Sequence, residues 1–151
     1  MYLPTHFLEE NEDELFRLML NYPLGSLVII NEGEIEANHI SFELDSSMGE
    51  LGVLRAHIAK AHPLFSLLDQ AKSAYVIFQA EQSYISPRWY EGKQRHHRVV
   101  PTWNYRVVHV KGMARRIDDE KYLRGVLARL TRNHEVMQEK PWRMTDAPED
   151  F

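Results

Sequence analysis

Apolar and polar positions along the chain fall into short alternating runs and two helical repeats. Over Asn11–Asn21, Leu15 with Met19 and Phe16 with Leu20 stand four apart, Asn11 and Glu14 have capping-box spacing, and acidic residues fill the first turn. Pro23 ends this helix. Leu24–Ile30 is a short apolar strand, Asn31-Glu32-Gly33-Glu34 a turn, and Ile35–Phe42 a returning strand, which together predict a hairpin. A polar turn over Asp45–Gly49 leads to a third strand, Leu51–Ile58. Ala61-His62-Pro63 then opens a short helix to Asp69, with Pro63 where a helix needs no N–H. Ala74–Ala80 is a fourth strand that continues extended over Ser83–Ser86 after a kink near Glu81. Pro87–Gly92 reads as a turn or single helical turn, and Gln94–Arg98 as an exposed basic loop. Trp103–Ile117 is the longest strand, with a bulge or bend at Gly112. Asp118 caps an amphipathic helix with Tyr122, Leu123, Val126, Leu127 and Leu130 along one face. The pattern fades after Glu135, and Pro141–Phe151 reads as an irregular tail.

Five or six strands interrupted by three helices predict an antiparallel barrel, mainly β with peripheral helices (α+β), as a single domain over residues 1–151. Neither a regular βαβ alternation nor a GxGxxG or Walker pattern is present, which argues against a doubly wound nucleotide-binding fold. The chain is 44% hydrophobic and 26% charged, a composition that argues against disorder. Without a long apolar run or a signal-peptide pattern, a soluble, cytoplasmic chain is expected. The lack of cysteine removes disulfides, thiolate catalysis and Cys-ligated metals. A net charge of −4 is not that of a bulk nucleic-acid binder, so any DNA contact would need a local basic face. Lys93–Arg98 and Arg115-Arg116 are the runs that offer one, although such runs are more often solvated loops.

Four clusters stand out, Ala37–Phe42 with His39 in an alternating strand, Arg55–Pro63, Ser83–Tyr90 with Lys93, and Val100–Tyr105; the last three form two groups that carry candidate chemistry. Arg55-Ala56-His57-Ile58-Ala59-Lys60 ends a strand just before a helix start, where free N–H groups and cationic side chains together suit an anion or phosphate. Arg55, His57 and Ala59 share one face of the expected strand. The plainer reading is that Arg55 and Lys60 are solvated and His57 caps a turn. The second group is Tyr84, Ser86, Trp89, Tyr90 and Lys93, with Thr102, Trp103, Asn104 and Tyr105. Rigid aromatics with polar tips suit the stacking of a planar ring system, with Thr102 and Asn104 as hydrogen-bonding partners; an ordinary aromatic core reads the same way. The eight histidines show no metal-ligand spacing, no nucleophile-elbow Gly-x-Ser-x-Gly is present, and no catalytic residue is assigned.

Met1-Tyr2-Leu3-Pro4-Thr5-His6-Phe7, Ala37–Phe42, His57–Pro63, Tyr84-Ile85-Ser86-Pro87-Arg88-Trp89-Tyr90 with Lys93, and Val100–Tyr105 occur in one order that resembles the PaiB-type FMN-binding negative transcriptional regulators. The match runs from residue 1 to about Trp142. The resemblance implies a split β-barrel of the pyridoxamine-phosphate-oxidase-like type, working as a homodimer with FMN in grooves at the subunit interface. It implies that His57 and Lys60, with Arg55, approach the FMN phosphate. It implies further that Tyr84, Ser86, Trp89, Tyr90, Lys93, Thr102, Trp103 and Asn104 form the remaining wall of the site. Lys60 stands where the resemblance implies Arg, and His62 where it implies Asn. The resemblance further implies a helix, a strand and a basic segment beyond the residues given. A flavin reductase or oxidase, or a haem-binding relative, is the alternative on the same fold.

Overall fold

The computed structural model describes residues 2–148. Helix α1 (Glu12–Asn21) starts where expected, with the Asn11 side chain accepting the Asp13 N–H and Glu12, Asp13 and Glu14 in its first turn. Strands β1 (Leu24–Asn31) and β2 (Glu34–Ser41) form the expected antiparallel hairpin. Its turn places Glu32 and Gly33 at positive φ, the backbone a two-residue hairpin loop needs. Two three-residue strands follow, β3 (Glu43–Asp45) and β4 (Val53–Arg55), paired with each other as a separate two-stranded sheet. The expected third strand is therefore shorter than Leu51–Ile58. Gly52 at positive φ closes the intervening turn, and the chain leaves the sheet after Arg55.

Helix α2 (Pro63–Leu67) has Pro63 in its first turn, and His62 Nδ1 accepts the Leu64 N–H. Strand β5 (Lys72–Ile85) joins the expected fourth strand and its extension into one element. A 3-10 turn (Pro87–Trp89) and helix α3 (Gly92–His96) connect β5 to β6 (Thr102–Ala114). The expected loop at Gln94–Arg98 is thus partly helical, ending on His97 in the left-handed region. Helix α4 (Glu120–Glu135) is capped by Asp119, one residue later than expected, whose carboxylate accepts the Tyr122 N–H.

The main sheet is antiparallel with order β2-β1-β5-β6. Its core face carries Leu27 and Ile29 of β1, Ala74, Val76, Phe78 and Ala80 of β5, and Val108 of β6. Leu18 and Met19 of α1 and Leu64 of α2 cover them, and Phe78 and Ile29 are almost wholly enclosed. Full burial of side chains of this size stabilises by about 1.5–3 kcal/mol each, which makes this face the centre of the fold. Gly25 is needed there: a Cβ would stand 2.8 Å from Val76 Cγ1 and 3.0 Å from Phe42 and Phe78 ring carbons. The second sheet leaves the barrel open, a split barrel rather than a closed one.

The register between β5 and β6 shifts between Gln79 and Gln82, where one extra β5 residue bulges out. That is the kink expected near Glu81. Gly112 pairs with Ala74 in unbroken register, so the bulge expected at Gly112 is not there. Open space around Gly112 shows that no close approach requires a glycine. Among the described residues no helix is long and apolar enough to cross a membrane.

Candidate functional site

The candidate residues fall in two places. At the first, Arg55 ends β4 and turns inward, its side chain only 11% exposed. Its guanidinium donates to Asp45 at 2.7 Å and lies 3.8 Å from Glu43, the carboxylate that Arg129 of α4 grips through two nitrogens. Burial works against the charge on Arg55, but the hydrogen bonds with Asp45 and Tyr122 outweigh it and hold the group cationic. Asp45 is lowered to about 2, first by its bond from the Ser47 hydroxyl and then by Arg55. These groups, with Ser46, Lys121 and Gly125, line a concavity of about 790 Å³ between β3, β4 and α4.

The strand ends at Arg55, so the expected shared strand face for Arg55, His57 and Ala59 does not form; His57 is exposed in the segment beyond. Lys60 is exposed and pairs with Asp118 at 3.3 Å. Arg55 Nε is buried with no acceptor, and Arg55 lines a concavity that also holds Lys121, Arg129 and the hydroxyls of Ser46, Ser47 and Tyr122. Such a donor set fits an anionic group such as a phosphate, set against the carboxylates that already neutralise the arginines.

The second place is the far end of β5 and β6. β1 pairs with β5 only between Gly25↔Phe78 and Ile29↔Ala74, so Gln82–Ile85 and Thr102–Tyr105 run on as a two-stranded arm. The bulge fixes its faces. Tyr84 opposes Trp103, with ring centroids 6.4 Å apart, and Trp103 Nε1 donates to Gln82 at 3.0 Å. Asn104 opposes Ser83 and Thr102 opposes Ile85, on the opposite face. Thr102 and Asn104 therefore do not share a surface with Trp103. Ser86 accepts the Arg88 N–H and sets the 3-10 turn that carries Trp89 and Tyr90, both exposed, while Lys93 is half-buried on α3.

Glu81 pins the bulge. Arg106 Nε donates to it at 3.0 Å, and Tyr22 joins them. Arg106 foremost lowers Glu81 to about 2, and Glu81 in turn raises the Tyr22 phenol. Sequence reading placed the kink at Glu81 but missed Arg106 and Tyr22. It also missed Glu43, Asp45, Tyr122 and Arg129 around Arg55. Only the polar turn after Asp45 left a local trace of these; Glu43 and Arg129 lie 86 residues apart and leave none.

Comparison with known proteins bears on what this arrangement serves. Over 89% of its length the chain is 34% identical to an uncharacterised Saccharomyces cerevisiae protein, of which the match covers 90%. It is 31% identical to an uncharacterised Emericella nidulans protein, covering all of this chain and 74% of that one. The "Protease synthase and sporulation protein PAI 2" of Bacillus subtilis is 26% identical over 80% of this chain, a match that spans only 56% of the Bacillus protein. The solved FAD and haem binding protein of Mycobacterium smegmatis shares the fold at a TM-score of 0.60, with 18% identity, 91% of this chain and 62% of that one. The family model described as "Putative FMN-binding domain" matches residues 1–151, so its description names the cofactor expected from the sequence. Matched from end to end by that model, the chain belongs to this FMN-binding domain family.

Proposed function

We propose that the chain binds FMN as a homodimer. The observation that carries this reading is the outer face of the main sheet, which no helix covers. Register places Ile35, Ala37, His39 and Ser41 of β2 there, beside Leu24, Ser26, Val28 and Ile30 of β1. Ser73, Tyr75, Ile77 and Gln79 of β5 and Val107, His109, Lys111 and Met113 of β6 complete it. Among the described residues no Asp or Glu stands on this face. Leu24, Ile30, Ile35 and Met113 are each more than 60% exposed on it.

Four strands about 4.8 Å apart and about eight residues long present roughly 500 Å² of flat area before the aromatic arm is added. A stable pair needs about 800 Å² of accessible surface per partner, which protruding side chains and the arm bring within reach. Tyr84 and Trp103 continue the outer face, so pairing through it would carry these rings to the edge of the interface. Bound FMN supplies a redox-active ring and a phosphate handle. On this reading the chain's part is to hold the ring among Tyr84, Trp89, Tyr90 and Trp103, and the phosphate by the cationic groups at Arg55, His57, Lys60 and Lys93.

Titration with FMN, followed by flavin fluorescence and thermal shift, tests the proposal. Quenching and a raised Tm support it; neither signal rejects it, and a haem Soret band in the purified protein moves the assignment to haem. Lys60→Glu weakens FMN binding if Lys60 faces the phosphate.

Negative transcriptional regulation is the finer part of the proposal, supported by the likeness to the Bacillus sporulation protein and by Arg88, Lys93, Arg95 and Arg98 in the segment joining β5 to β6. A gel-retardation series across salt concentrations tests it: binding that weakens steeply with salt supports DNA contact, and no binding at low salt rejects it.

A further inference from the structure

We propose that pairing of two copies through the outer sheet face is controlled by pH, with His39 and His109 as the titrating groups; this rests on the homodimer reading above. His39 opposes Ser26, Ser26 opposes Ile77, and Ile77 opposes His109, so both imidazoles stand in one row across the sheet. At about 4.8 Å per strand they lie roughly 14 Å apart on a face whose other described residues, Lys111 apart, are apolar or neutral.

The groups that face them are few. β1 contributes Leu24, Ser26, Val28 and Ile30, none of which ionises, and β2 adds Ile35, Ala37 and Ser41. β5 contributes the Tyr75 phenol, whose ring meets His109 edge-on at 5.5 Å, with Ser73, Ile77 and Gln79. β6 contributes Val107, Met113 and the Lys111 ammonium, which lies 5.4 Å from the centroid of the Tyr75 ring. Tyr84 and Tyr105 stand on the adjoining arm. The nearest acidic residues in sequence do not reach the row. Glu34 and Glu36 point to the core side of β2, and Glu32 sits in the turn beyond the Ile30↔Ile35 pair.

A neutral imidazole is covered at little cost, because it can donate to or accept from a hydroxyl such as that of Ser26. An imidazolium covered beside Lys111, with no carboxylate among the described residues of the face on either copy to pair with it, loses its water and gains nothing in return. Two copies bring four such imidazoles into one interface. An ordinary imidazole takes up its proton between about pH 6 and 7. Association is therefore full above that range and weakens as pH falls through it, since the separated copies hold the protons more readily than the pair.

Sedimentation velocity at pH 8.0 and 5.5, with far-UV circular dichroism to confirm folding at both, tests the proposal. The dimer dissociation constant of the unaltered chain is expected to rise about tenfold or more on acidification. The His39→Gln/His109→Gln double variant is expected to keep the same constant at both values within about twofold. A fixed charge gives the second arm: His39→Arg is expected to dissociate at pH 8.0, where the unaltered chain is paired. A dimer equally tight at both pH values, or a double variant that keeps the full response, overturns the histidine assignment and leaves the dimer standing. A folded monomer at pH 8.0 overturns the dimer reading and the inference with it.

Discussion

Glu43 is a charged residue that the fold encloses, held between Arg129 and Arg55. Removing its carboxylate takes from Arg129 the partner it grips and leaves the buried Arg55 to Asp45 and Tyr122. Glu43→Ala is expected to destabilise by about 2–3 kcal/mol in urea unfolding, less than for a sealed pair because Arg129 is 38% exposed. The neighbouring Asp45 makes a prediction in pH. Its value is depressed from 3.8 to about 2, so its contribution to stability is full above the ordinary range and is lost as pH falls toward 2. A carboxyl-carbon NMR titration should give a midpoint near 2, moving up in Ser47→Ala because the Ser47 hydroxyl is the first cause of the shift. Gly25→Ala places a methyl against Val76, Phe42 and Phe78 and should cost about 1–3 kcal/mol by overpacking, read from the same denaturant curves.

At the scale of elements, the bulge in β5 decides which way the aromatic arm looks. Alternation from Ala74, Val76, Phe78 and Ala80 would put Gln82 and Tyr84 on the core face. The extra residue turns both outward, opposite Tyr105 and Trp103. Deleting Glu81 removes that residue but leaves Gln82 onward in the same register with β6. A deletion variant is therefore expected to fold and to keep the proton NOE between the Tyr84 and Trp103 rings. In an unbulged strand the same deletion would turn Tyr84 away and abolish it. The short strands β3 and β4 gain their positions differently, since three residues each are too few for a stable sheet alone. Glu43 and Arg129 tie them to α4 across 86 residues, and Leu44 and Leu54 pack against the core.

For the whole molecule, the distribution of charge over the two faces of the main sheet matters more than its sum. Helices α1 and α2 close one face, and the other carries no carboxylate among the described residues. A single cation at its centre should separate the copies without touching the core. Val28→Lys, between Ala37 and Tyr75, is expected to sediment as a monomer where the unaltered chain pairs, with its far-UV circular dichroism unchanged. A Val28→Lys dimer of undiminished affinity would place the interface elsewhere.

The element order, the β1–β2 hairpin, the cap at Asn11, the helix start at Pro63 and the kink at Glu81 were legible in the sequence, because each is written in residues close together along the chain. So was the family resemblance, whose motifs recur in order over nearly the whole length. The brevity of β4, the unbroken register at Gly112 and the burial of Arg55 against Glu43 and Asp45 were not. Each depends on groups distant in sequence that meet only when the sheet forms. The cationic motif was visible as residues, while the carboxylates that compensate it came from β3 and the hydroxyl beside it from α4. Sequence alone determined what kinds of groups the chain carries and which elements bear them. Tertiary structure decided which face each element shows and which charges are already paired, because pairing partners are set by strand register and helix docking, and those are long-range.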